Sequence, residues 1–92
     1  SYNKIDISEF WLEKIDDLNR AGRTGNARAF KDTYNSFRKF TKNKKIVFKE
    51  ITSLLLDKYE THLRETGSQD GGIAFRMRML RALFNDAIKK GV

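Results

Sequence analysis

The 92-residue chain carries 19 basic and 12 acidic side chains, a net charge of +7, and no cysteine. The lack of Cys excludes disulfides and thiolate metal sites and is compatible with a reducing compartment. No apolar run approaches the roughly 20 residues that span a bilayer, so no membrane partner is expected. The length predicts one domain, 1–92, and the initial Ser, in place of Met, suggests a domain excised from a longer protein.

The first two predicted helices show apolar residues every three or four positions, with glycines between the runs. One helix spans roughly 8–21, with Ser8 as N-cap, and the next spans 27–41, capped by Thr24 or Asn26. Their inward residues are Ile7, Phe10, Trp11, Ile15 and Leu18 on the first, and Ala27, Phe30, Tyr34 and Phe37 on the second.

Two further helices follow a lysine-rich break whose apolar residues, 46–48, are expected to pack the connection against the core. The third helix spans 53–65, capped by Thr52, and the fourth spans 72–90, where Asp70 is the available cap. Their inward residues are Leu55, Leu56, Tyr59 and Leu63 on the third, and Ile73, Met77, Leu80, Phe84 and Ile88 on the fourth. The fold class is therefore all-α, a compact four-helix bundle.

The positive charge is unevenly distributed along the chain. Segments 1–22 and 50–72 carry net charges of −2 and −3, whereas segments 23–49 and 73–92 carry +8 and +4. The excess therefore lies on the second and fourth helices and on the loop after the second. If those two helices are neighbours, their basic faces are expected to join into one patch, with the other helices forming an acidic back.

Helical wheels gather the polar residues of these two helices into stripes. The stripes consist of Arg28, Lys31, Asn35, Lys39 and Lys42 on the second helix and of Arg78, Arg81, Asn85 and Lys89 on the fourth, interrupted by Asp32 and Asp86. Charged stripes are often merely solvated faces. However, like charges one turn apart destabilise a helix, which favours a functional reason, and a nucleic-acid backbone is the natural partner.

The segment Gly22-Arg-Thr-Gly-Asn-Ala-Arg28 places two arginines at a helix start. A helix N-terminus binds phosphate through free N–H groups, and Arg23 and Arg28 would add charge-assisted hydrogen bonds. A plain turn with an N-cap and exposed arginines explains the same residues.

Two further choices stay open at the level of sequence. Lys42, Lys44 and Lys45 either follow a phosphate strand from a flexible loop or serve solubility. Arg81 contacts either DNA or a carboxylate such as Glu60.

Three blocks in order, GRTGNARAFKDTYNSFRKF, FKEIT…YETHL and MRMLRALFNDAIKKG, resemble the SAM-like core-binding domain of tyrosine recombinases, in particular the phage- and transposon-type integrases. The resemblance covers nearly the whole chain. It implies a helical domain that, with a following catalytic domain, clamps duplex DNA and turns its second and fourth helices toward the major groove. It also implies a bacterial cytoplasmic protein whose partners are double-stranded DNA and, at full length, other recombinase protomers.

The candidate DNA contacts combine the stripes, the helix start and the resemblance. They are Arg23, Thr24, Asn26, Arg28, Lys31, Asn35, Lys39, Lys42, Arg78, Arg81 and Asn85. One departure concerns Gly71-Gly72, where related sequences often read Asn-Thr before the fourth helix. The change removes a side-chain cap and two groups that could contact phosphate.

Catalysis in this family uses a tyrosine nucleophile and an Arg/Lys/His cluster in the separate catalytic domain, which would follow Val92. Tyr34 and Tyr59 occupy core spacing, and neither they nor Tyr2 have a neighbour that would activate them. The single histidine, His62, excludes a His-based metal cluster. We therefore expect a non-enzymatic domain without cofactor or metal that binds DNA in integration and recombination. The alternative is a helical interaction module that docks an acidic protein.

Overall fold

A computed structural model describes residues 6–91, so Tyr2 and Val92 lie outside the described part. The chain forms α1 (Ile7–Arg20), α2 (Thr24–Phe40), α3 (Ser53–Glu65) and α4 (Asp70–Lys89), with a 3₁₀ turn at Phe48–Glu50. The all-α prediction is confirmed: between residues 6 and 91 the only β pairing is one isolated bridge.

Two helix starts show how local capping sets the boundaries. The Asp6 carboxylate accepts a hydrogen bond from the Ser8 N–H at 3.0 Å, so α1 begins at Ile7. The prediction of Ser8 as N-cap is therefore wrong; its side chain is buried and accepts a hydrogen bond from Arg38. The Thr52 cap of α3 is confirmed, because its hydroxyl accepts from the third N–H of that helix at 3.2 Å.

The other two helices begin without a side-chain cap. In α2, Arg23 is the N-cap residue and Thr24 and Asn26 already lie within the first turn, so neither is the predicted cap. In α4, Gln69 is the N-cap residue and Asp70 is the first helical residue, so the predicted Asp70 cap is also wrong. Consequently α2 begins three residues earlier, and α4 two residues earlier, than the apolar spacing indicates.

The core is built around aromatic side chains from three helices. Trp11, Phe37 and Tyr59 are each at most 1% exposed, and their rings contact one another through Phe37. The Trp11 Nε1–H donates to the Phe30 carbonyl at 2.9 Å, which joins α1 to α2. The Tyr59 hydroxyl and the Ser36 hydroxyl lie 2.7 Å apart, which joins α3 to α2. The indole N–H of Trp11 and the hydroxyl of Tyr59 therefore each have a hydrogen-bond partner.

The end of α4 differs from the predicted inward face. Ile88 is 69% exposed, so its assignment to the core is wrong. Leu83 and Ala87 are buried in its place, and Phe84 is half-buried. At about 100° per residue the five buried positions of α4 centre on Leu80, and Ile88 lies about 80° from that direction, at the edge of the apolar arc.

The connection between α2 and α3 is held against the bundle, as its apolar residues predict. The Ile7 N–H donates to the Ile46 carbonyl at 2.7 Å, and Val47 forms the isolated bridge with Asp6. Ile46 and Phe48 pack against the core. This segment therefore closes over the start of α1.

Candidate nucleic-acid interface

The two basic helices are neighbours, which meets the condition for a joint basic patch. Helix α2 contacts α1, α3 and α4 and so occupies the centre of the domain. Arg76 of α4 donates from Nη1 to the backbone carbonyl of Asp32 in α2 at 3.0 Å. This hydrogen bond joins the two helices.

The α1/α2 groove contains part of the predicted α2 stripe. Arg28 and Lys31, both exposed, line it together with Thr24 and with Asn19 of α1. Neither cation has an ion-pair partner among residues 6–91. The groove thus presents two free positive side chains beside the start of α2.

The α3/α4 groove holds the predicted cations of α4. Arg78 and Arg81 line it with Glu60, Arg64 and Asp70. Arg64 pairs with Asp70 at 2.8 Å and with Glu60 at 3.6 Å, and the hydrogen bond to Asp70 raises the pKa of Arg64. Glu60 is therefore bound by Arg64 and not by Arg81, and the Asp70 carboxylate at the α4 start is paired with a guanidinium.

A third groove, the central groove, lies between α2, α3 and the start of α4. Asn35 and Lys39 of the predicted stripe line it, together with Asp32, His62 and Arg76. His62 is half-buried and packs on the Phe40 ring, at a centroid distance of 5.3 Å. Seven of the eleven predicted contacts are thus distributed over three grooves, and their union into one patch stays a prediction.

The start of α2 has the features of an anion-accepting helix end. The N–H groups of Thr24, Gly25 and Asn26 have no acceptor within the described chain, and the first turn contains no acidic residue. By contrast, α1 has a carboxylate cap and α4 has Asp70 in its first turn. Arg23 adds an exposed cation at the same helix end.

The lysines after α2 stand on a hydrogen-bonded turn and not on the loose loop that the sequence suggests. Arg38 donates to the carbonyls of Asn43 at 3.3 Å and Lys44 at 3.4 Å, and to the Ser8 hydroxyl at 3.0 Å. Lys42 and Asn43 have φ values of 56° and 61°, in the left-handed region that closes the turn. Lys42, Lys44 and Lys45 all remain exposed.

Ion pairing separates the structural cations from the candidate contacts. Within residues 6–91, the cations in ion pairs are Lys14, Arg20, Arg64 and Lys90. None of the candidate DNA contacts is among them. Asp86, which interrupts the α4 stripe, is held by Lys14 at 3.3 Å and Lys90 at 3.7 Å, whereas the adjacent Asn85 is exposed.

The sequence does not distinguish two arginines with structural roles, Arg38 and Arg76, from the exposed basic residues. Arg76 lies on the wheel beside the buried face of α4, and this position is the signal that could have indicated an inward contact. Arg38 gives no comparable signal, because its acceptors are the Ser8 hydroxyl of α1 and two carbonyls of a turn, and the sequence shows neither that packing nor the shape of the turn.

Among residues 6–91, no group of three or more acidic or histidine side chains is placed to hold a metal ion. No helix of that part is long and apolar enough to cross a membrane.

A family model described as the phage integrase SAM-like domain matches residues 6–92. No curated protein and no solved structure shows a significant match. The match covers all four helices and every candidate contact. The chain therefore belongs to the phage integrase SAM-like domain family.

Proposed function

We propose that this domain, non-catalytic in itself, binds duplex DNA for a tyrosine recombinase during integration and recombination. The observation that carries the proposal is the separation of charges described above. The cations of α2 and the outer cations of α4, Arg78, Arg81 and Lys89, have no acidic partner in residues 6–91. The acids in ion pairs there are Asp16, Glu60, Asp70 and Asp86, and their partners are Lys14, Arg20, Arg64 and Lys90. Unpaired cations are available to neutralise phosphates and release counterions.

The contacts divide into two kinds. Arg23 and the open N–H groups of the α2 start suit a phosphate, because a helix N-terminus and a guanidinium both favour an anion. Arg28, Asn35 and Arg78 carry side chains that can reach base edges in a major groove. The remaining candidates, such as Lys31 and Lys42, serve as sequence-independent phosphate contacts.

A salt titration tests the proposal. If about five or six phosphates are neutralised, the logarithm of the binding constant should fall against the logarithm of salt concentration with a slope near −5. Fluorescence anisotropy with a labelled duplex measures this slope. A slope near zero, or no binding at low salt, would refute DNA binding and favour the acidic-protein alternative.

Charge-reversal variants test which surface of the domain binds DNA. Arg28→Glu combined with Arg78→Glu should abolish binding without changing the helical circular dichroism. Lys58→Glu is the matched control, since Lys58 is an exposed cation on α3, outside the proposed surface, with no ion pair to any of residues 6–91. If Lys58→Glu weakens binding as much as Arg28→Glu alone, the effect is one of net charge and the assigned surface is wrong.

A further inference from the structure

Four exposed side chains form one line along α2 that starts in the α1/α2 groove and continues into the central groove. Arg28, Asp32, Asn35 and Lys39 follow one another at intervals of four, three and four residues, and all are exposed. At about 100° per residue they fall within an arc of roughly 60°. The line is about 16 Å long, which matches about five base-pair steps of 3.4 Å. Such a line has the length and width of a helix face that reads a major groove.

Asp32 is anomalous in this line. It is the only acidic residue in segment 23–49, which holds nine basic ones. Within residues 6–91 its carboxylate makes no hydrogen bond or ion pair, since Arg76 donates to its backbone carbonyl and not to its side chain. It lies in the middle of the helix, where the helix dipole gives an acidic residue no advantage.

The carboxylate would also oppose the proposed function if it faced only phosphates, because like charges repel. Its charge therefore adds to the fold at most the small stabilisation of an i,i+4 neighbour, Arg28, and it opposes a purely electrostatic complex. A carboxylate is useful on a DNA-facing helix when it accepts a hydrogen bond from a base. In the major groove, the N4 amino group of cytosine is the donor that Asp and Glu recognise.

We infer that Asp32 is a specificity-determining residue that accepts a hydrogen bond from the N4 amino group of a cytosine. This inference rests on the proposed function. The flanking residues support it: Arg28 suits guanine and Asn35 suits adenine, so the line combines donor and acceptor groups that discriminate between bases. A helix that bound phosphates alone would need only cations.

The experiment is a selection of duplexes from a randomised library by the 92-residue chain at low salt, repeated with Asp32→Ala. The wild-type chain should prefer cytosine at one position by at least about fivefold. In Asp32→Ala this preference should fall below about twofold while the preferences at other positions persist, and the mean affinity for the library should rise. Asp57→Ala, on α3, removes the same charge from another face and should leave every preference unchanged.

The outcomes separate the two claims. Identical preferences in the wild type and Asp32→Ala, or a wild type with no cytosine-preferring position, would overturn the role of Asp32 while leaving DNA binding intact. Absence of binding by the wild type to any duplex would refute the proposed function itself.

Discussion

Arg38 and Arg28 lie on the same helix. We predict that Arg38→Ala destabilises the domain, whereas Arg28→Ala leaves its stability nearly unchanged. Arg38 makes three hydrogen bonds, of which the bond to the buried Ser8 hydroxyl at 3.0 Å is the best formed. The bonds to the carbonyls of residues 43 and 44, at 3.3 and 3.4 Å, are longer and exposed. Arg28 makes no hydrogen bond or ion pair within the described residues.

The expected cost of Arg38→Ala follows from these contacts. A well-formed hydrogen bond to a charged group contributes about 1.5–3 kcal/mol, and the two long bonds add only a little. We therefore expect the free energy of unfolding to fall by about 2 kcal/mol. For a domain of this size, each kcal/mol lowers Tm by about 4–8 °C, so Tm should fall by roughly 10 °C. Arg28→Ala should change the free energy of unfolding by less than about 0.5 kcal/mol.

The assay is urea unfolding followed by circular dichroism, with thermal melts as a second measure. Ser8→Ala should cost less than Arg38→Ala, and the double variant should cost less than the sum of the two, because both remove the same bond. If Arg38→Ala unfolds at the wild-type urea concentration, or if Arg28→Ala is equally destabilising, the assignment of structural and functional arginines fails.

Three further results are expected. Arg28 and Arg78 line different grooves. The losses of DNA-binding free energy in Arg28→Ala and Arg78→Ala should therefore add to within about 0.5 kcal/mol in the double variant. A larger coupling energy in anisotropy titrations would contradict the separation of the two side chains. Burial raises the pKa of Tyr59 above its ordinary value of 10.0. Above that pH the tyrosine ionises first in the unfolded chain, so the free energy of unfolding should fall as the pH rises. Urea unfolding should show a smaller fall in Tyr59→Phe than in the wild type, and equal falls would refute this. Thr52→Ala removes the cap of α3 and should lower the free energy of unfolding by about 1 kcal/mol in the same assay, whereas an unchanged urea midpoint would show that the cap contributes nothing.

The sequence predicts the existence of the helices better than their starts. The apolar period locates all four helices, because burial of one face is their main source of stability. The period cannot show where the first turn begins, since capping depends on short-range hydrogen bonds. The carboxylate of Asp6 caps α1 two residues ahead of the predicted cap, Ser8, and α2 extends past Asn26 to Thr24.

The candidate site is predictable in composition but not in arrangement. Helical wheels place Arg28 and Arg78 correctly on the outer faces of their helices. They do not show which neighbouring helix flanks each outer face, and this packing puts Arg28 beside α1 and Arg78 beside α3. The sequence does not indicate the structural role of Arg38 for a similar reason, because its partners come from α1, through Ser8, and from the turn that follows α2.

The turn that Arg38 holds, residues 41–45, has a consequence for the entropy of any complex that uses its lysines. Fixing the backbone of one residue costs about 1–2 kcal/mol, so ordering five residues on binding would cost about 5–10 kcal/mol. Here the backbone is ordered when the domain folds, through the hydrogen bonds of Arg38 and the left-handed pair Lys42 and Asn43. A phosphate that met Lys42 would therefore need to restrict only a side chain, and a single contact there can contribute most of its electrostatic energy to affinity.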